Sequence, residues 1–554
     1  MPHSPEDLLQ RLTALESGRG TYNAHCQDLA EIMLPRRADF TTEQVEGAKR
    51  TEKQFDGTPM QAARALAASI DGLLKPKTQP WFKIKTDDDA LNELDIVKEW
   101  LEFAETRVRN AIYSPRARFL QRSAECDLDL VVFGTGVLYV GDDPAQSRLL
   151  FRCYHLREIY LCENEKGDID TVFRKFKLTA RQAVQKFGKD KAGKKASDAL
   201  QANKPDEKIE YVHIVMPRDD PGYGYLDNRP PKMQMPWASL WIERAEKRVI
   251  GEGGFLELPY VIPRWDTAAD EVYGRSPGMI ALPDAASLQQ IGKTLLKAGQ
   301  KAVDPPLFVP SEGMKSPRRT RPGGQTYYDV SLMQRTGGRP PVFPMETGAN
   351  IPLGREMQND IRIQVQRAFF NDLMRLPVDG PQMTATEILE RKEEYVRVLG
   401  PVFGRLEADY TGATIDRVWA ILARAGVFGA PETIPEELQG RNVRFEFTSP
   451  IARAVRKIEA AAVSKSFQEV LPMAELKPDV MDNFDEDAIA RGVADANGVP
   501  QKWMRPVREV MAIRDERAKA QAQAQMAASL MEMGTAAVPI ATAKIQADAT
   551  KKAA

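Results

Sequence analysis

The chain has 554 residues, which is too many for one hydrophobic core, so two to four domains or a multi-part subunit are expected. Hydrophobic residues make up 43% and charged residues 28%, a composition typical of a folded soluble chain that excludes disordered and collagen-like classes. Lys and Arg (77) nearly balance Asp and Glu (78), so the net charge of −1 excludes a globally basic binder of nucleic acid or membrane surfaces.

Cysteine and histidine usage argues against a metal centre. The four cysteines are widely spaced and form no Cys/His cluster with the four histidines, so reduced, buried thiols are expected instead of a zinc site. The N-terminus has neither a basic nor an apolar leader region, and no apolar run reaches the roughly 18 residues of a membrane helix. We therefore expect no signal peptide and no membrane contact.

The first half of the chain has mixed periodicity. Helices are predicted at 5–34, 58–74, 91–126 and 178–200, with Thr58 as the cap of the second and Pro59 at its first position. Strands are predicted at 128–140, 149–176, 209–216, 238–250 and 258–265.

The second half is mainly helical. A helix capped by Ser276 is predicted over 276–303, interrupted or restarted at Pro283, and a second over 351–374. The Gly- and Pro-rich segment 305–349 between them is predicted to be a loop-rich insert with short strands such as 307–309 and 326–330, and 375–383 is predicted to be an exposed break. Thr384 and Glu387 match a capping box, which predicts a helix from there to about 425, kinked at Gly400-Pro401. Then follow a strand at 443–447, helices over 451–515, and a biased segment 516–554 that is either a loosely packed helix or a mobile tail.

Four motifs imitate catalytic or ligand sites. Gly274-Arg-Ser-Pro-Gly278 matches a nucleophile elbow, but Pro277 has no N–H for an oxyanion hole and no histidine follows His213. Gly292-Lys-Thr294 lies inside a helix, so its N–H groups cannot cradle phosphate. Gly134-Thr-Gly136 lacks the third glycine of a dinucleotide-binding motif and is expected to be a turn or bulge between strands. The three carboxylates at 87–89 could bind Mg²⁺, but we expect them to lie in a solvated loop. No catalytic residue, metal site or cofactor is predicted.

Charge is segregated along the chain. Segment 312–339 has a net charge of +4 and segment 469–487 a net charge of −6, a pattern that two unrelated solvated surfaces would also explain. The basic side chains of the first segment are Lys315, Arg318, Arg319, Arg321, Arg335 and Arg339. Lys293, Lys297 and Lys301 form a row at i+4 spacing, which repeated around a ring would become a belt that contacts a duplex through its phosphates.

Several motifs carry a family resemblance. These are 273–278, 304–307, 369–373, Met383-Thr-Ala-Thr-Glu-Ile-Leu-Glu-Arg391, Leu399-Gly-Pro-Val-Phe-Gly-Arg-Leu-Glu407 and Phe447-Thr-Ser-Pro-Ile-Ala452. Together they resemble the portal (head-to-tail connector) proteins of short-tailed, podovirus-type bacteriophages, most densely over about 270–455. One departure is Thr411-Gly-Ala413, where relatives tend to carry a more apolar, Pro-containing step.

The resemblance implies an α+β, mainly α, portal fold that assembles as a ring of about twelve subunits with a central channel. It implies a wing (1–275), stem helices (276–303 and 351–374), a clip (304–350), a tunnel loop (375–383), a wing return (384–455), a crown (456–515) and a C-terminal helical barrel or mobile tail (516–554). The function implied is non-enzymatic. The ring is the conduit for DNA at the unique capsid vertex of the virion, and it is assembled in the host cytoplasm.

The resemblance also implies partners. Double-stranded DNA passes regardless of sequence, and the terminase motor, tail adaptor, major capsid protein and scaffolding protein contact the ring. Channel candidates are Lys293, Lys297, Arg355, Arg362, Arg375, Asp379 and Gln382, and the six basic residues of 312–339 are docking candidates in the clip. For each channel candidate, a salt bridge between subunits or a solvated position is an equal alternative. The rival functions are a phage hydrolase or nuclease and another virion structural protein, such as a tail or internal ejection protein.

Overall fold

The structure is a computed structural model. It describes residues 4–43, 45, 47–92, 94–143, 148–218, 235–308, 327, 329, 331, 334, 343–344, 348, 350–374, 400–430, 434–448, 460, 462–467, 469–470, 472, 484–496, 503–505 and 509–526. The chain divides into two compact units. The first comprises Met1–Asp88 and Trp100–Ile451, and the second comprises Asp89–Glu99 and Ala452–Ala554.

Three predicted helices are each divided in two, 5–34 at Arg19, 91–126 at 113–118 and 178–200 at 188–193. The helices of the first unit otherwise lie where the periodicity predicts them. They are α1 (Pro5–Gly18), α2 (Gly20–Met33), α3 (Thr58–Leu74), α4 (Asp89–Asn92), α5 (Asp95–Ile112), α6 (Phe119–Phe133), α7 (Ala180–Phe187), α8 (Lys194–Gln201), α9 (Pro277–Val303), α10 (Ile351–Ala368) and α11 (Asn371–Met374), where α4 and the start of α5 belong to the second unit. Residues 400–406 are also helical, followed by a π-helical stretch (Glu407–Gly412) and α12 (Ala413–Arg424). The second unit contains α13 (Glu486–Ala496) and helical residues at 509–526.

The strands that the structure describes form four antiparallel sheets. They are β1 (Phe82–Thr86), β2 (Leu138–Asp143), β3 (Arg148–Cys153), β4 (Ile159–Glu163), β5 (Ile169–Thr179), β6 (Lys208–Pro217), β7 (Trp237–Glu243), β8 (Arg248–Phe255), β9 (Tyr260–Val261), β10 (Leu307–Phe308), β11 (Phe343–Pro344) and β12 (Val443–Phe447). The sheet orders are β4-β5-β6-β7-β8, β3-β2-β9, β1-β12 and β10-β11. The chain is therefore mixed helix and sheet, as predicted.

The five-stranded sheet is covered on both faces. Leu8, Leu9 and Leu12 of α1 pack on the face that carries Phe173 and Val212. The alanines of α7 and α8 pack on the opposite face, which carries Phe176 and Tyr211. Because adjacent residues of a strand point to opposite faces, neighbouring side chains such as Tyr211 and Val212 enter different cores.

The largest core lies among the helices. It joins the buried faces of α2, α3 and α6 with the first half of α9 and the C-terminal end of α10, where Val365 and Phe369 are buried. Ala281, Ala285 and Leu288 bring α9 into this core. The later residues of α9 and the earlier residues of α10 leave the core, so the two helices project as a pair.

A buried ion pair fixes the π-helical stretch. The Nζ of Lys75, which is 1% exposed, lies 2.7 and 2.9 Å from the carboxylate oxygens of Asp127 on α6 and 3.0 Å from the Tyr410 hydroxyl. The Tyr410 hydroxyl donates to the Ser123 carbonyl. Burial, which outweighs the attraction of Lys75, raises the pKa of Asp127 to about 6. The stretch ends at Gly412, where an added Cβ would lie 3.0 Å from the Glu407 carbonyl.

Several element predictions are wrong in detail. Residues 128–133 continue α6 instead of starting a strand, because a short apolar run fits a buried helix as well as a strand. Gly134 consequently follows a helix, not a strand, and serves as its left-handed C-cap.

Three helix predictions also need correction. Pro283 lies within a continuous α9, and the predicted helix 351–374 is broken at Phe369–Phe370, where Phe370 has φ +55°. Gly57, not Thr58, is the N-cap of α3, while the Asp56 carboxylate accepts the Thr58 N–H.

Other predictions fall beyond the described ranges. The start of the helix at Thr384, the break at 375–383 and most of the insert 305–349 lie outside the described residues, as does 527–554. In the described parts of the chain, no helix combines the length and hydropathy needed to cross a membrane.

Candidate functional site

The projecting pair of α9 and α10 carries most of the described candidate residues. The two helices are antiparallel, because Gly292 on α9 lies beside Gln358 and Leu295 lies beside Gly354. A Cβ on Gly354 would approach the Leu295 side chain to 2.5 Å, so this glycine permits the close approach of the helices. Ser276 begins α9 as predicted, since its hydroxyl accepts the Met279 N–H at 2.9 Å.

Asp56 ties the base of the helix pair together. Its carboxylate accepts from the Arg362 guanidinium at 2.8–2.9 Å and from the Gln358 amide at 3.0 Å. Gln289 on α9 accepts the N–H groups of Phe55 and Asp56 and donates to the Asp56 carbonyl. Burial opposes ionisation of Asp56, but hydrogen bonds from Thr58 and Arg362 prevail and lower its pKa. Sequence reasoning missed this residue, because its partners Gln289, Gln358 and Arg362 lie more than 230 positions away.

The four described channel candidates occupy different environments. The Arg362 guanidinium is paired with Asp56, and the Lys293 ammonium lies 5.6 Å from the centroid of the Phe55 ring. Lys297 and Arg355 line an open groove of about 1030 Å³ between the helices, together with Arg362 and Lys301. Among the residues that the structure describes, Lys297, Lys301 and Arg355 form no ion pair. The groove therefore carries unneutralised positive charge.

The remaining candidates are not placed. Arg375, Asp379 and Gln382 of the predicted tunnel loop lie outside the described residues. So do Lys315, Arg318, Arg319, Arg321, Arg335 and Arg339 of the predicted clip. Their roles stay predictions.

Apolar side chains are exposed along the same helix pair. Leu296 and Val303 on α9 are 56% and 89% exposed, and Leu353 and Met357 on α10 are 52% and 51% exposed. Exposed apolar residues concentrated on one projecting element are typical of a contact surface for another macromolecule.

The motifs that imitate catalysis have structural roles. Ser276 is 1% exposed and donates its hydroxyl to the Val132 carbonyl at 2.8 Å, so it is a buried cap. Gly292-Lys-Thr294 lies within α9. His213 is buried between the Tyr260 and Ser239 hydroxyls, and burial together with Lys186 and Arg174 lowers its pKa. Within the described ranges, no three His, Cys, Asp or Glu side chains converge as metal ligands.

Comparison with known proteins identifies the family. The family model described as "Bacteriophage head to tail connecting protein" matches residues 5–504. The portal protein of Salmonella phage epsilon15 is 30% identical over 538 residues, covering 96% of this chain and 94% of that protein. The probable portal protein of Bordetella phage BPP-1 is 29% identical over 530 residues, covering 94% and 93% of the two chains.

A more distant structural match is a chain of "Virion of native gene transfer agent (GTA) particle". It aligns with a TM-score of 0.33 and 10% identity over 76% of this chain and 91% of that chain, too low to carry an argument. The family model and the relatives confirm the resemblance that the sequence motifs indicate. Because these matches extend over nearly the whole length, the chain belongs to the bacteriophage head-to-tail connecting, or portal, protein family.

Proposed function

We propose that the chain is a portal subunit that assembles as a ring of about twelve copies at the unique capsid vertex. Double-stranded DNA enters through the central channel during packaging and leaves through it during ejection, and the chain itself catalyses no reaction and needs no cofactor. The observation that carries this proposal is the match to a portal protein over 96% of this chain and 94% of that protein. The exposed apolar residues of the α9/α10 pair support it, since they need a neighbour to cover them.

The proposal assigns parts to segments. Residues 1–275 and 384–455 are the wing, 276–303 and 351–374 (which contain α9, α10 and α11) the stem, 304–350 the clip, 375–383 the tunnel loop and 456–515 the crown. Residues 516–554 form a C-terminal barrel or tail. The clip, with its six basic side chains, is the docking site for the terminase motor and later the tail adaptor. Scaffolding protein and the major capsid protein contact the ring during assembly in the host cytoplasm.

DNA contact is proposed to be electrostatic and independent of sequence. Lys293, Lys297 and Arg355, with the tunnel-loop residues Arg375, Asp379 and Gln382, are the channel candidates. Arg362 carries less free charge, because its guanidinium is paired with Asp56. A near-neutral chain with a few basic belts guides DNA without trapping it, since each neutralised phosphate adds salt-dependent affinity.

Electron microscopy of the purified protein with native mass measurement tests the proposal. Rings with a central hole and a mass of about twelve times 61.9 kDa are expected. A closed particle without a hole, or measurable hydrolysis of ATP or DNA, contradicts it. Two duplexes of unrelated sequence should bind the ring equally well and lose affinity together as salt is raised.

A further inference from the structure

The projecting α9/α10 pair is incompletely covered in a single chain. None of residues 293–304 and 351–364 is fully buried, although the pair includes many apolar side chains. Two packed helices bury only the stripe between them, so their outer flanks need another layer. The two flanks of this pair differ in shape and in charge.

One flank is a basic groove. Leu296, Val303 and Ile351 supply apolar lining, and Lys297, Lys301 and Arg355 supply cations, whereas Asp304 is the acidic side chain of the lining. In the part of the chain that the structure describes, these three cations have no carboxylate partner.

The other flank is an acidic edge on α10. Leu353 and Met357 are one turn apart, each about half exposed, and neither lines the groove. Glu356 and Asp360 follow them at i+3 spacing and are therefore their neighbours on the helix surface. Among the residues that the structure describes, neither carboxylate forms an ion pair.

We propose that the acidic edge of one subunit docks into the basic groove of the next, with Leu353 and Met357 against Leu296 and Val303. Glu356 and Asp360 then face Lys297, Lys301 and Arg355. The two flanks lie on opposite sides of one helix pair and cannot meet within a chain, so the occupant is a second copy. Such a head-to-tail contact, repeated by rotation, closes a ring.

This inference rests on the proposed ring and assigns specific contacts within it. For Lys297 and Arg355 it favours the salt bridge between subunits over the contact with DNA phosphate, which leaves Lys293 and the tunnel-loop residues as channel candidates. Association brings a basic surface and an acidic surface together, which relieves the repulsion among like charges on each of them.

Charge reversal and charge swapping test the contact. Lys297→Glu with Lys301→Glu, or Glu356→Lys with Asp360→Lys, should each lower the yield of rings about tenfold or more, because like charges then oppose across the contact. All four substitutions in one chain should restore the yield to within about twofold of wild type. Lys189→Glu with Lys191→Glu, at exposed positions near α8, is the matched control and should assemble normally.

The outcomes separate this inference from the proposed function. If wild type forms rings and either reversal also forms them at full yield, or the swap restores nothing, the contact is refuted while the ring stands. If wild type forms no ring in any condition, the proposed function fails first.

Cross-linking gives an independent readout. A chain with Leu296→Cys and Met357→Cys, oxidised with copper-phenanthroline, should run as a ladder of covalent oligomers on a non-reducing gel. Each single variant should remain a monomer, because its thiol faces no second introduced thiol. A double variant that stays monomeric, although electron microscopy shows rings, refutes the contact.

Discussion

Substitution of Lys75 tests how much its buried ion pair with Asp127 contributes to the free energy of unfolding. At 2.7 Å and an effective dielectric constant of about 20, the attraction is about 6 kcal/mol, which the cost of desolvating both ions largely offsets. Lys75→Met removes the attraction but leaves Asp127 buried, so we expect the free energy of unfolding to fall by about 3–5 kcal/mol. Lys75→Met with Asp127→Asn, which removes both charges, should cost less than Lys75→Met alone.

The pH dependence follows from the Asp127 carboxyl. Its pKa is raised in the folded chain to about 6, above the value of about 3.9 in unfolded chains. The folded state therefore binds more protons, and stability falls as pH rises between these values. Without Lys75 the pKa rises further and the fall extends to higher pH. The difference between Lys75→Met and wild type should therefore grow from pH 6 to pH 8.

Urea unfolding followed by tryptophan fluorescence is the assay. Trp81 reports on this region, because its indole N–H donates to the Tyr113 hydroxyl, which donates to the Lys75 carbonyl. Lys53→Met is the control, because Lys53 forms an exposed ion pair with Glu31 and its loss should cost below about 1 kcal/mol. A Lys75→Met variant no less stable than this control, or a stability difference that is flat from pH 5 to pH 8, would refute the reasoning.

Three further predictions concern the helices. Gly134→Ala should destabilise the protein by several kcal/mol, because φ is +79° and the added Cβ would clash with a backbone carbonyl oxygen. Gly404→Ala, at an exposed position in a helix, should instead stabilise the protein by about 0.5–1 kcal/mol. The melting temperatures of the two variants test this contrast. Ser276→Ala should cost about 1 kcal/mol through loss of the helix cap, and Ser276→Thr, which keeps a hydroxyl, should lose less in urea titrations. Arg362→Gln should cost about 1–3 kcal/mol by leaving the Asp56 carboxylate without its cation, and hydrogen exchange should increase at the base of α9 and α10.

Local signals were sufficient for much of the secondary structure. The Ser276 cap and the extents of α3 and α9 follow from side-chain chemistry within a few residues, so a single sequence reveals them. Residues 128–133 were misassigned because a short apolar run fits a buried helix as well as a buried strand, and periodicity alone does not separate the two. The break at Phe369–Phe370 has no Gly or Pro to mark it.

The positions of the candidate residues on helices could be predicted from the sequence, but their contacts could not. Lys293, Lys297, Arg355 and Arg362 were correctly placed on two helices, but their different partners were not foreseen. Asp56 meets Arg362 across about 300 residues of sequence, and only the fold brings such distant groups together. A single sequence without relatives offers no signal for that contact.

The pairing of β1 with β12 has a consequence for biosynthesis. Phe82 lies opposite Phe447, so β1 cannot pair until β12, about 360 residues further along the chain, has been synthesised. At a typical rate of 5–20 residues per second, the ribosome needs roughly 20–70 s to supply that strand. During this interval β1 is an unpaired edge with an alternating apolar face, the kind of segment that aggregates or recruits a chaperone. The first unit therefore closes late, after most of the chain has been synthesised.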